Sequence, residues 1–95
     1  MFDLLKQYIK KLIDSSDNGI VIENEVLYGD AKLEYALCKD NYMASISVLS
    51  DYTYDFFTVE IESEDTLIVK TKRFTNLDDL LAEIKKDILH FSVLD

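Results

Sequence analysis

The sequence predicts an α+β domain with an N-terminal helix, an antiparallel sheet of four or five strands and a C-terminal helix. Apolar residues recur at steps of three and four near both ends of the chain, as on one face of a helix. In the middle they alternate with polar residues, as in half-buried strands joined by short turns, which pair antiparallel. Each helix must bury its apolar stripe, so both are expected on one face of the sheet. Residues 1–95 contain no linker or repeat and are expected to form a single domain.

The helices are predicted at residues 2–14 and 76–90. A cluster of turn-forming residues at 15–19 ends the first helix. Thr75 or Asn76 can cap the second, and acids in its first turn suit the helix dipole. The apolar stripes consist of Phe2, Leu5, Ile9, Leu12 and Ile13 in the first helix, and Leu77, Leu80, Leu81, Ile84 and Ile88 in the second.

Four strands are predicted from alternation, at residues 32–38, 42–49, 56–62 and 66–73. Residues 20–28 are rich in strand formers but are interrupted by Glu-Asn-Glu, so they predict either one bent strand or a strand and a turn.

The last two strands carry a prediction of register. A three-residue turn between them would set Ile61 opposite Leu67 and Val59 opposite Val69. We expect these four side chains, with Phe57, to point to the core, because both apolar faces then coincide. The lysines of the final strand would face solvent.

The charge balance restricts the class of partner. Nineteen acids oppose ten bases, which gives a net charge of −9. DNA, RNA and anionic membranes would repel such a chain, so neither nucleic acid nor membrane is expected as a partner. The single cysteine, Cys38, cannot form an internal disulfide. With no secretory leader pattern and no apolar run of membrane-spanning length, we expect a cytoplasmic protein.

The sequence shows no pattern of catalytic, cofactor-binding or metal-binding residues. His90, the one histidine, has no cysteine or acid at ligand spacing, and we interpret it as a cation near the end of the last helix. We interpret Cys38 as a small buried apolar residue. No phosphate-binding loop or hydrolase motif occurs. We therefore expect no enzyme, no cofactor and no metal.

Acids are concentrated between positions 51 and 65, where six acids occur without a base. Tyrosines, which are common interface anchors, lie among them. Such a surface could steer and hold a basic partner; alternatively, these are solvated strand and loop residues. The predicted partner-binding residues are Asp51, Tyr52, Tyr54, Asp55, Glu60, Glu62, Glu64 and Asp65.

The segment FTVEIESEDTLIVKTKRFTNLDDLLAEIKKDIL (57–89), a hairpin that leads into an amphipathic helix, resembles small bacterial toxin-immunity proteins of the contact-dependent growth-inhibition type. The resemblance covers size, acidity and element order over the whole chain. It implies a cognate C-terminal toxin domain as partner, often a nuclease, with a basic contact surface.

Three other functions are open from the sequence. A phage-type inhibitor that mimics nucleic acid would need carboxylates spaced like phosphates. A small ligand-binding protein or a cryptic enzyme would need a pocket between helices and sheet, which Tyr28, Tyr35 and Tyr42 could line. A homo-oligomeric structural protein could use the open sheet face or an edge strand.

Overall fold

The computed structural model describes residues 1–15 and 19–94, and it has the predicted order of elements. The prediction of a turn at 15–19 falls largely on residues 16–18, which lie outside the described residues. The elements are α1 (Phe2–Ser15), β1 (Val21–Tyr28), β2 (Lys32–Lys39), β3 (Tyr42–Leu49), β4 (Thr53–Glu60), β5 (Thr66–Arg73) and α2 (Leu77–Ser92).

The five strands form one antiparallel meander in the order β1-β2-β3-β4-β5. Each strand pairs with its neighbour in the chain, and β1 and β5 are the two edges. Residues 21–28 form one strand, with a register shift between Ile22 and Asn24 where the polar interruption occurs. The bent-strand interpretation of this segment is thus confirmed, because a bulge absorbs the extra residue.

One face of the sheet, the inner face, is covered by both helices and forms the core. From α1 the residues Leu5, Ile9 and Ile13 are buried. From α2 the residues Leu80, Ile84, Ile88 and Phe91 are buried, and the rest of its apolar stripe is partly buried. The sheet contributes Leu33, Tyr35, Leu37, Ala44, Ile46, Val48, Tyr54 and Phe56 to this core.

The predicted register of β4 and β5 is wrong. Phe57 pairs with Val69 and Thr58 with Ile68, so β4 lies two residues away from the expected alignment. The faces are also exchanged, because Tyr54 and Phe56 point to the core while Phe57 is 43% exposed. With this face inward β4 buries the rings of Tyr54 and Phe56, and Asp87 of α2 supplies the partner that the buried Tyr54 hydroxyl needs.

A buried polar network explains how tyrosine and lysine are accommodated on the inner face. The Tyr54 hydroxyl donates to Asp87 Oδ2 at 2.8 Å, and Lys70 Nζ donates to Asp87 Oδ1 at 2.7 Å. Lys70 Nζ also lies 3.2 Å from a Glu83 carboxylate oxygen. Burial alone would lower the pKa of Lys70, but the hydrogen bonds and charges of Asp87 and Glu83 raise it instead. The same contacts hold the pKa of Glu83 below its usual value against the effect of burial.

The start of α2 is fixed by Asn76, one of the two predicted caps. Its Oδ1 accepts from the Asp79 amide at 2.8 Å, and its Nδ2 donates to the Asp79 carboxylate at 3.0 Å. This reciprocal arrangement satisfies an amide that the helix itself leaves unpaired.

Candidate binding surface

The face of the sheet opposite the helices, here called the open face, carries a band of exposed apolar side chains. Cross-strand pairing joins Val21 to Cys38, Cys38 to Met43 and Met43 to Val59 in one row across four strands. The adjacent row places Phe57 beside Val69. Four of these side chains are substantially exposed, with Val21 at 55%, Met43 at 39%, Phe57 at 43% and Val69 at 71%. The apolar band consists of Val21, Cys38, Met43, Phe57, Val59 and Val69.

The other half of the open face is polar and is held by local pairs. Lys32 Nζ lies 2.8 Å from a Glu34 carboxylate oxygen. The hydrogen bond and charge of Glu34 raise the pKa of Lys32. Further across the sheet, the Thr71 hydroxyl donates to Asp55. Apolar and polar side chains are thus segregated along the strands, and an exposed apolar patch with a polar border is typical of a protein-binding surface.

Two acidic turns border the apolar band at one end of the sheet. The β2–β3 turn is tied to the β4–β5 turn, because the Ile61 amide donates to the Asn41 carbonyl at 2.7 Å and the Glu62 amide donates to Asn41 Oδ1 at 3.2 Å. Asp40 and Glu64 adopt left-handed backbone conformations, with φ of 52° and 59°. The acids of this end, called the acidic turns, are Asp40, Glu60, Glu62, Glu64 and Asp65.

The structure divides the eight predicted binding residues into separate groups. Four of them lie together in the acidic turns, and Asp55 lies in the polar half of the open face. Asp51 and Tyr52 lie in the β3–β4 turn at the opposite end of β4, which at eight residues is about 26 Å long. The Asp51 carboxylate accepts from the Thr53 amide at 3.0 Å, and its hydrogen bonds with Thr53 lower its pKa. The predicted acids thus form no single patch.

Tyr54 must be removed from the predicted surface. Its side chain is 0% exposed, because it points to the core and uses its hydroxyl on Asp87. The sequence reasoning placed it among interface tyrosines because it lies between acids. The neighbouring Phe56 shares its face and stacks with it at 6.3 Å between ring centroids.

The sequence reasoning missed the apolar band. Phe56-Phe57 in β4 puts one aromatic ring on each face of the sheet, and Met43 faces away from the core in β3. Two adjacent aromatic residues in one strand were the available signal, because a strand with one solvated face normally alternates apolar and polar residues. Assigning Phe57 to the core concealed the band.

Other candidate sites from the sequence have these positions. His90 lies exposed in the last turn of α2, as predicted. Cys38 is half-buried on the open face and is not the core residue that we expected. Tyr35 points to the core, whereas Tyr28 pairs with Lys32 on the open face, so the three tyrosines do not line one pocket.

Within residues 1–15 and 19–94, no group of three or more histidine, cysteine or acidic side chains is placed to hold a metal ion. No helix in the described part of the chain is long and apolar enough to cross a membrane.

Comparison with known proteins gives no relative. No family model matches the chain, no curated protein matches it, and no solved structure matches it.

Proposed function

We propose that this protein is a binding protein that holds a basic protein partner on its open face. The observation that carries the proposal is the apolar band beside the acidic turns. Apolar and aromatic side chains supply most of the affinity of an interface once water is excluded from them. Acids at the rim attract a basic partner and orient it during encounter. An apolar centre favours a protein partner over mimicry of nucleic acid, which needs charge throughout.

The dimensions of the open face suit a specific interface. Five strands spaced about 4.8 Å apart and eight residues long give a face of about 24 Å by 26 Å, or roughly 600 Å². The acidic turns extend this area towards the roughly 800 Å² per partner of a standard-size interface. Much of that area is already held rigid by hydrogen bonds, so little ordering opposes binding.

The role that we propose is that of an immunity protein in the bacterial cytoplasm. In this role the partner is a cognate toxin domain, a nuclease whose substrate-binding cleft is basic. The acidic turns lie against cations of that cleft or beside it, and the apolar band anchors the complex. The protein acts by covering the toxin and not by catalysis.

Binding to the C-terminal toxin domain encoded directly upstream tests the proposal. Calorimetry at 50 mM and 300 mM salt should give nanomolar affinity that weakens at the higher concentration, because salt screens charges at the interface rim. No binding at either concentration would reject the immunity role.

Two matched double variants distinguish the effect of the acidic turns from the effect of the protein's net charge. Glu62→Lys together with Glu64→Lys should slow association with the toxin domain by at least about tenfold. The matched control is Asp3→Lys with Asp30→Lys, which changes the net charge equally at the other end of the sheet, near Tyr52. Equal effects of the two double variants would show that the acidic turns have no special part in encounter.

The apolar band is tested by Phe57→Thr, which retains a strand-forming residue. Loss of a central aromatic anchor should weaken binding by about 2 kcal/mol or more. Leu4→Gln, at a residue that is 47% exposed on α1, is the matched control. Sedimentation of the free protein is the companion measurement. A dimer that Phe57→Thr dissociates would assign the open face to a second copy of the chain and contradict the proposal.

A further inference from the structure

A groove runs between α2 and the edge strand β5, on the helix side of the sheet and away from the open face. Its volume is about 820 Å³. The apolar part is formed by Ile68 of β5 with Ala82 and Leu89 of α2. Leu89 is 46% exposed although it belongs to a helix with a complete apolar stripe on its other side. The remaining lining residues are Lys70, Lys85, Lys86, Asp87 and His90.

Two of the three lysines that line the groove are paired with carboxylates. Lys70 is neutralised within the buried network by Asp87 at 2.7 Å and by Glu83 at 3.2 Å. Lys86 Nζ lies 3.6 Å from the other oxygen of the Glu83 carboxylate. Lys85 forms no ion pair with any residue in 1–15 or 19–94. Of the three lysines that line the groove, Lys85 is thus the one without a carboxylate partner among the described residues, and it lies beside the apolar surface.

We propose that this groove binds a small amphiphilic anion, namely a molecule with an apolar chain and a single carboxylate or similar head. The chain lies on Ile68, Ala82 and Leu89, and the head pairs with Lys85 at the rim. Pockets of about 300–1,000 Å³ that are mostly apolar, with a few polar groups at one side, are typical of small-molecule sites.

The length and charge of the groove favour this ligand over an acidic helix of a protein. From Ala82 to His90, α2 advances about 12 Å, which would hold little more than two turns of a partner helix. A strongly acidic segment would also need several unpaired lysines, whereas among the described residues that line the groove Lys85 is the one lysine without an ion pair. A small ligand with an apolar chain and one negative charge fits both the length of the groove and its unpaired lysine.

Decanoate, used below its micelle-forming concentration, is the probe. Titration of the ¹⁵N-labelled protein should give saturable shifts of the amide signals of Ile68, Ala82 and Leu89. Decanol has the same chain without charge and should bind about threefold to fivefold more weakly, because a partly exposed ion pair contributes at most about 1 kcal/mol. Decyltrimethylammonium should bind more weakly still. Equal binding of all three would overturn the proposed role of the cations.

Two exposed positions on α2 allow the site to be changed without changing the core. Leu89→Gln should weaken decanoate binding by about threefold to tenfold, because it removes part of the apolar contact. Lys85→Glu should weaken it by a similar factor and should abolish the preference over decanol. Leu4→Gln and Lys10→Glu on the exposed side of α1 are the matched controls and should leave binding unchanged.

Three outcomes would overturn the inference. The first is shifts that do not saturate or that are spread over the whole protein, which would indicate adsorption. The second is a synthetic amphipathic helix of leucine and glutamate that binds the groove more tightly than decanoate, which would assign the groove to a protein segment. The third is concentration-dependent shifts of the same amides without any ligand, which would assign it to a second copy of the chain.

Discussion

Replacing Asp87 with alanine should lower the free energy of unfolding by about 3 kcal/mol. Asp87 is 5% exposed and accepts one hydrogen bond from Tyr54 and one from Lys70. A buried hydroxyl left without a partner costs about 1–3 kcal/mol, and a hydrogen bond between charged groups contributes about 1.5–3 kcal/mol. The second value is reduced here, because Lys70 is 26% exposed and keeps its contact with Glu83. The total is thus nearer 3 than 6 kcal/mol, which a domain of this size can lose while remaining folded.

Urea denaturation followed by circular dichroism measures this loss, and a double-mutant cycle with Tyr54→Phe apportions it. Phenylalanine needs no hydrogen-bond partner, so Asp87→Ala should cost about 1–2 kcal/mol less in the Tyr54→Phe background. Lys85→Ala on the exposed face of α2 is the control and should change stability by less than about 0.5 kcal/mol. A coupling energy below about 0.5 kcal/mol would refute the argument that Tyr54 depends on Asp87.

Three further predictions concern the fold. Burial, followed by the charge of Asp87, raises the pKa of Tyr54. The neutral Tyr54 hydroxyl therefore stabilises the fold fully below the unfolded-state pKa of about 10, and this stabilisation declines as the pH rises above that value. Urea titrations from pH 9 to 11.5 should show a decline that Tyr54→Phe makes shallower by about 1.4 kcal/mol per pH unit. Asn76→Ala should cost about 1 kcal/mol by removing the cap of α2, as measured by thermal unfolding, and an unchanged melting temperature would contradict the capping role. Glu64→Gly should stabilise the protein by up to about 1 kcal/mol because φ is 59° there, whereas Glu62→Gly should not, and equal effects in urea would contradict the strain.

The helices and most strands could be predicted because their signals are local. The stripe of α2 and the Asn76 cap lie within one segment, and the alternation in β2 leaves one choice for its buried face. Strand β4 offers two choices, since Phe56 and Phe57 are adjacent. The choice depends on Asp87, which lies 33 residues from Tyr54 in sequence and supplies the buried partner of its hydroxyl. The sequence pattern alone contains no information on that contact.

The candidate surface could be predicted only in part for a similar reason. The acids at 60–65 were found because charge is visible in composition and they lie in a turn. Asp51 is close to them in sequence but lies at the other end of an eight-residue strand, because a strand separates its ends by its full length. The apolar band joins residues from five strands, so it required the register of every pair. The sequence could indicate the acids of the acidic turns but not the exposed apolar side chains beside them.

The meander has a consequence for the order in which the chain folds. Each strand pairs with the strand made immediately before it, across turns of two to five residues, so the loops closed are short. We therefore expect rapid formation of the hairpins during synthesis at the ribosome. Helix α2 follows all five strands in the chain, so the rings of Tyr54 and Phe56 lack its cover until α2 has been made. Nascent chains that stall before α2 should accordingly be the form that chaperones bind and that aggregates most readily.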